Sequence, residues 1–292
     1  MESSAPIITN RRTSGRTIKR IYNTAVSTNI PKKTATATAT RKRKITEVNT
    51  EFALQSSSAE SIVYNNTVFR YVKTASFKYP TGPLRSVVLD NDETLGIFIK
   101  LRELLNTYNN EEEYIPFINR VTQELLNGEM SPLRPGIQKF LRTLHDMKKS
   151  GRINSVIMYT NMTVKPIFKG KNSTETHTRP EILSDIFDKI IENTDEPLID
   201  LIIFRDIPYP PYKYFAVIEK IYKTEGQGNT YVFLDDKPEN ILNSETSIVP
   251  SVQSFGITEY KGRPTNKSFN NSYSAKGVDN MTVYQLFDKI FP

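Results

Sequence analysis

The chain has 292 residues, 37% of them hydrophobic, and contains no cysteine. Disulfides, thiolate zinc sites and cysteine nucleophiles are therefore excluded. The net charge of +7 is confined to one end: residues 1–60 hold 11 Lys/Arg against 4 Asp/Glu, and residues 61–292 hold 28 of each sign.

No stretch approaches the ~18 consecutive apolar residues of a membrane span, and the N-terminus lacks an apolar signal core. A soluble, intracellular protein with no membrane partner is expected. Residues 1–60 are rich in Ser, Thr and Ala, with strict Thr-Ala alternation from Thr34 to Thr40. Their few scattered apolar residues offer too little burial to offset ordering entropy, so a disordered basic tail is predicted. Its clusters, 11–20 and Arg41-Lys42-Arg43-Lys44, read as a nuclear-import signal, an arm for nucleic-acid phosphates, or a solvated tail. No aromatic residue interleaves them, so base stacking is not suggested.

From residue 61 the pattern is that of a folded domain, 61–292. Segments 61–64 and 68–72 read as short strands, and 86–89 as a compact apolar run. Helices are predicted over 97–105, 114–126 and 137–148, the last opened by Arg134-Pro135-Gly136. A strand at 155–159 is followed by a helix at 181–187 and strands at 189–191 and 201–204. A helix over 214–222, strands at 230–234 and 251–257 and a helix over 281–291 complete the chain. Residues 258–280 are polar and predict a surface loop. Apolar strands alternating with helices point to an α/β fold, a doubly wound parallel sheet covered on both faces. In such sheets reactive groups sit just beyond the carboxyl ends of strands.

Two strands end directly in acid. The first reads Val87-Val88-Leu89-Asp90-Asn91-Asp92-Glu93-Thr94. Side chains two apart on an extended chain point the same way, so both carboxylates can converge on one site. Alternatively, one carboxylate and one backbone carbonyl share a metal. Thr94 adds a hydroxyl able to orient Asp90. The second reads Tyr231-Val232-Phe233-Leu234-Asp235-Asp236-Lys237-Pro238. Adjacent carboxylates repel unless a cation compensates, and an oxygen-only donor set favours Mg2+ over Zn2+. Either acidic turn would also serve as a helix cap. A third strand ends in Thr160-Asn161, a hydroxyl and an amide suited to a phosphoryl oxygen. Lys213, with Lys220 as its competitor, is placed to neutralise phosphate and carboxylate.

Taken in order, these motifs resemble the haloacid dehalogenase (HAD) phosphohydrolase superfamily. Asp90-Asn91-Asp92-Glu93-Thr94 is similar to its DxDxT loop, Thr160 to its Ser/Thr motif, Lys213 to its basic motif and Asp235-Asp236 to its acidic motif. The Asp-x-Asp-Glu-Thr-Leu form, Arg134-Pro135-Gly136 and Leu201–Asp206 resemble the branch that includes RNA polymerase C-terminal-domain phosphatases. The resemblance implies an aspartyl-phosphate mechanism: Asp90 as nucleophile and Asp92 as general acid and base. It further implies Mg2+ on Asp90, the carbonyl of Asp92 and Asp236. Thr160, Asn161 and Lys213 would hold the phosphoryl group, with Thr94 and Asp235 supporting.

The insert at 96–132, 37 residues, suffices for two helices or a small flap rather than a large cap. An open site suits a macromolecular phosphoester such as a phosphoprotein. A phosphatase for nucleic-acid ends or nucleotides and a catalytically silent binding module are the alternatives. Glu111-Glu112-Glu113 reads as a solvated helix start, 208–214 as a Pro-stiffened aromatic loop, and His145 and His177 as ordinary residues without metal-ligand spacing.

Overall fold

The computed structural model describes residues 59–127, 133–163, 167–193, 196–205, 212–237, 252–256, 269, 273–275 and 278–292. The basic tail up to residue 58, with Arg41–Lys44, and residues 208–211 of the Pro-rich loop lie outside the described residues.

The strands are β1 (Glu60–Tyr64), β2 (Thr67–Lys73), β3 (Arg85–Leu89), β4 (Ser155–Thr163), β5 (Ile167–Lys169), β6 (Thr176–Thr178), β7 (Leu201–Arg205), β8 (Thr230–Asp235), β9 (Val252–Gly256), β10 (Tyr273–Ala275) and β11 (Val278–Met281). The helices are α1 (Ile99–Thr107), α2 (Tyr114–Leu126), α3 (Ile137–Lys149), α4 (Arg179–Ile190), α5 (Phe215–Tyr222) and α6 (Val283–Ile290). Among the described residues no helix is long and apolar enough to cross a membrane.

Seven strands form one sheet in the order β1-β2-β7-β4-β3-β8-β9. The five from β7 to β9 are parallel, and β2 runs antiparallel between β1 and β7. Strict alternation along each central strand divides its side chains between two cores. Val87, Leu89, Val156, Met158, Val232 and Leu234 enter one, and Val88, Ile157, Tyr159, Tyr231 and Phe233 the other. The first core is closed by α1, α2, α3, α4 and α6; among the helices of the described residues, only α5 contributes to the second. The expected α/β sheet with both faces covered is thus present, its helices unevenly shared. Five parallel strands wind outward in both directions from β3. The winding reverses between β3 and β8, which is where such sheets open a crevice at their carboxyl ends.

Three expectations are corrected. Residues 189–191 are not a strand: Ile182, Leu183, Ile186, Phe187 and Ile190 form the buried stripe of α4, which runs to Ile190. A three-residue apolar run has no period of its own, so it reads equally as strand or last helical turn. Residues 258–280 are not simply a surface loop. They contain the antiparallel pair β10–β11, and Phe269 is fully buried, stacked on Phe140 with ring centroids 4.1 Å apart. The last helix begins at Val283 rather than 281, because Met281 belongs to β11 and Thr282 caps the helix by accepting from Gln285 N.

The 96–132 insert holds α1 and α2. Its buried Leu101, Leu105, Phe117, Ile118, Val121 and Leu125 enter the main core. The antiparallel pair β5–β6 was not anticipated. It places His177 on a strand rather than in a polar loop, with its ring stacked on Tyr114 at 3.7 Å. The Tyr114 hydroxyl in turn donates to Asp185 on α4. Glu112, in the acidic run, pairs with Arg120 at 2.8 Å.

Candidate active site

Leu89 at the end of β3 lies opposite Met158 of β4 and Leu234 of β8. The amide of Asp90 continues the ladder by donating to Leu234 O at 2.9 Å. The loop then turns. Asn91 O accepts from the amides of Thr94 and Leu95, Glu93 takes a left-handed φ of 64°, and its amide donates to Gly96 O at 2.7 Å. A positive φ is uncommon for a residue with a Cβ, so surrounding contacts must hold it. Arg134 does so. Fully buried, its guanidinium donates to Glu93 O at 2.7 Å and to Thr94 O, while its amide donates to Leu95 O at 2.9 Å. The Arg-Pro-Gly landmark is therefore the support of the acidic loop.

The turn decides how the two loop carboxylates are used. Asp90 is buried beside β8. Asp92 lies on the far limb, its carboxylate 3.5 Å from Arg179 Nη2. Asp92 is bridged to Gly96, and its carboxylate is not one of the three that lie within 4.8 Å of one another.

Lys213 precedes α5, which starts at Phe215, so it belongs to the entering loop rather than to the helix. It is 1% exposed, and its ammonium donates to Asp90 Oδ1 at 2.5 Å and to Asp235 Oδ2 at 2.7 Å. Of the two lysines it is thus Lys213 that meets the carboxylates, whereas Lys220 is exposed and lies over the Tyr64 ring. Asp235 closes β8, fully buried, and its Oδ1 accepts from Lys237 N at 2.8 Å. Asp236 is linked to the first loop through Thr94, whose hydroxyl donates to Asp236 Oδ1 at 3.1 Å and accepts from Asp236 N at 3.1 Å. Asp90 Oδ2 is 3.4 Å from the same hydroxyl.

Asp90, Asp235 and Asp236 each offer an oxygen within 4.8 Å of the others. Burial, with repulsion from Asp235 and Asp236, pushes the Asp90 carboxyl up to about 8 against the opposing pull of Lys213. Burial and Asp235 push Asp236 up to about 7. Burial works to lower Lys213, but Asp235 and Asp90 more than offset it and raise it. Burial raises Asp92 as well, opposed by Arg179.

β4 does not end at Thr160-Asn161 but runs on to Thr163; Thr160 is buried two residues past the last pair with β3, at Met158, and its hydroxyl accepts from Met162 N at 3.1 Å, leaving its own proton to donate. Asn161 follows it, half-buried. Neither forms part of the carboxylate–lysine cluster itself. The residue that sequence reasoning missed is Arg179. It lies within Thr178-Arg179-Pro180-Glu181, where Glu181 accepts from the amide and hydroxyl of Thr178. That capping signal marks a helix start but gives no hint that the arginine meets Asp92. Comparison with protein-family models, with curated proteins and with solved structures gave no match.

Proposed function

We propose that the protein is a Mg2+-dependent phosphohydrolase of the HAD type, working through an aspartyl-phosphate on Asp90. The observation that carries this reading is the cluster at the β3/β8 switch point. There a buried lysine bridges Asp90 and Asp235, beside Asp236. A structural ion pair needs one carboxyl, whereas this cluster gathers three beside one ammonium, net −2 when all three are ionised, all with hard oxygen donors. Asp236 Oδ2 is buried and has no hydrogen-bond partner. Surplus negative charge and an orphaned oxygen suit a hard divalent cation. Asp90, Asp236 and the carbonyl of Asp92 would hold it, and when bound it would neutralise charge on the phosphoryl oxygens.

Asp90 attacks phosphorus, and the bond to the leaving oxygen breaks as that oxygen takes a proton from Asp92. Asp92 then takes a proton from water, whose oxygen bonds to phosphorus as the Asp90–phosphorus bond breaks. Lys213 offsets charge on Asp90 throughout, and Thr160 and Asn161 present a hydroxyl and an amide to the phosphoryl group. The α1–α2 insert packs into the body's own core, so the reading is of an open site serving a macromolecular phosphoester such as a phosphoprotein. The net +7 of residues 1–60 favours one alternative substrate, phosphorylated nucleic-acid ends.

The test is hydrolysis of an aryl phosphate, phosphoserine peptides and 3′- or 5′-phosphorylated DNA, each with Mg2+ and with EDTA. Turnover that requires Mg2+, vanishes in Asp90→Asn, and gives way to an accumulating phosphoenzyme in Asp92→Asn supports the reading. Undiminished turnover in EDTA or in Asp90→Asn refutes it.

A further inference from the structure

We infer that Arg179 is a positioning residue that holds the Asp92 carboxylate in the orientation needed for proton transfer, an inference that rests on the phosphohydrolase reading. Asp92 is only half-buried, its side chain 42% accessible, just before the turn at the left-handed Glu93. A carboxylate so placed samples several rotamers, yet a general acid must sit within hydrogen-bond reach of the leaving oxygen and then of water. Arg179 differs in every respect. Its side chain is 8% exposed, and it occupies the first position of α4, next to Pro180 and inside the Thr178–Glu181 cap. The following turns bury Ile182, Leu183 and Ile186 in the main core. The guanidinium is thus a fixed cation, and the carboxylate beside it is the movable partner.

The contact is incomplete on the arginine side. Nη2 lies 3.5 Å from Asp92 Oδ2, and Nε is buried with no hydrogen-bond partner. A buried guanidinium with an unused donor gains most by drawing the carboxylate onto itself, since unpaired buried donors are costly. Held through Oδ2, Asp92 keeps Oδ1 free. Oδ1 then gives its proton to the leaving oxygen as the phosphorus–oxygen bond breaks, and later accepts one from the attacking water. The other nearby cations are less suited. Arg102 is exposed on α1, and the Lys237 ammonium is 3.5 Å from Glu93.

The experiment is a double-mutant cycle in the full chain with Mg2+, using Arg179→Gln, Arg179→Lys, Asp92→Asn and the Asp92→Asn/Arg179→Gln pair. Steady-state turnover is read with an aryl and an alkyl phosphate, and phosphoenzyme by mass after acid quench. Arg179→Gln is expected to lower kcat by about 10–100-fold, a part of the ~10²–10⁴-fold that a positioned proton transfer contributes, with little change in KM. The loss should be larger for the alkyl phosphate, whose leaving group needs the proton, and phosphoenzyme should persist longer. Arg179→Lys should restore part of the rate, and the double variant should be no slower than Asp92→Asn alone.

A raised KM at unchanged kcat, equal losses for both leaving groups, or additive losses in the double variant would overturn the inference. Each would mean that Arg179 binds the substrate's own anion. If Arg179→Gln fails to fold by circular dichroism, the same cycle is run with Arg179→Lys. A folded parent protein that turns over no phosphoester overturns the phosphohydrolase reading and the inference with it, whereas turnover with additive losses overturns the inference alone.

Discussion

Lys213→Met keeps an unbranched apolar side chain and removes the ammonium that lies over Phe233 and between Asp90 and Asp235. With all three carboxyls ionised, the cluster then passes from net −2 to −3. Breaking a buried pair by removing one partner costs about 3–5 kcal/mol. Two charge-assisted hydrogen bonds, at about 1.5–3 kcal/mol each, give the same range. Protonation limits the loss. Asp90 is already pushed to about 8 and Asp236 to about 7, from 3.8. A carboxyl raised by folding contributes its full stability below the unfolded value near 4 and loses it as pH climbs through the folded value. Without the ammonium both carboxyls rise further, so the deficit of the variant should be small at pH 5 and widen to about 3 kcal/mol by pH 8. For a domain of this size that is roughly a 6–12 °C fall in Tm. Urea unfolding and calorimetry in EDTA from pH 5 to 8 measure it. A deficit under about 1 kcal/mol at pH 8, or one that shrinks as pH rises, would show that the lysine does not offset buried charge.

Phe269→Ala should destabilise by about 3–5 kcal/mol in urea unfolding, since it empties a stacked core position; a cost below about 0.5 would return Phe269 to the surface. Arg134→Met removes two donors to the carbonyls of Glu93 and Thr94, and should cost about 2–4 kcal/mol and most of the turnover with it. Burial pushes Asp185 up to about 6, although the Tyr114 hydroxyl opposes it. Its contribution is full below pH 4 and fades as pH rises through 6, so Asp185→Asn should gain stability relative to the parent between pH 4 and 7. A relative loss across that window contradicts the assignment. Deleting residues 1–58 should leave the Tm unchanged and abolish low-salt binding to DNA, because residues 61–292 are charge-balanced. The deletion must stop before Glu60, which accepts from the Tyr71 hydroxyl at 2.7 Å and pairs with Lys73 at 2.9 Å.

The strands that carry the site were legible because burial on both faces makes them continuous apolar runs, and each stops abruptly at acid. That pattern marked Asp90, Asp235 and Asp236 singly; the resemblance to HAD phosphohydrolases put them in one site, and the pairing of β3 with β8 brings them together. Lys213 needed the structure, since it and Lys220 differ only in which one the sheet buries. Local periodicity could not reveal Phe269, a single aromatic in a polar stretch whose partner, Phe140, lies 129 residues earlier. Nor could it reveal the Arg179–Asp92 contact, which depends on the α4 start meeting the Glu93 turn. The error at 189–191 has the same origin: an isoleucine pair takes its meaning from residues one and two turns back.

Because β3 is the hub of the winding, its two neighbours arrive at very different times. β4 follows within about 65 residues, but β8 comes only after β7 and α5 have been made, and Asp90 and Asp235 are 145 positions apart in the chain. A chain emerging from the ribosome therefore carries its acidic loop long before the lysine and second acidic turn that complete it. Closing so long a loop is among the slowest steps in forming a parallel sheet. The lysine-bridged carboxylates are thus an end-point of folding: an incomplete chain has Asp90 but neither Lys213 nor the second acidic turn that pack against it. Any chemistry of this pocket is in effect withheld until the sheet has closed.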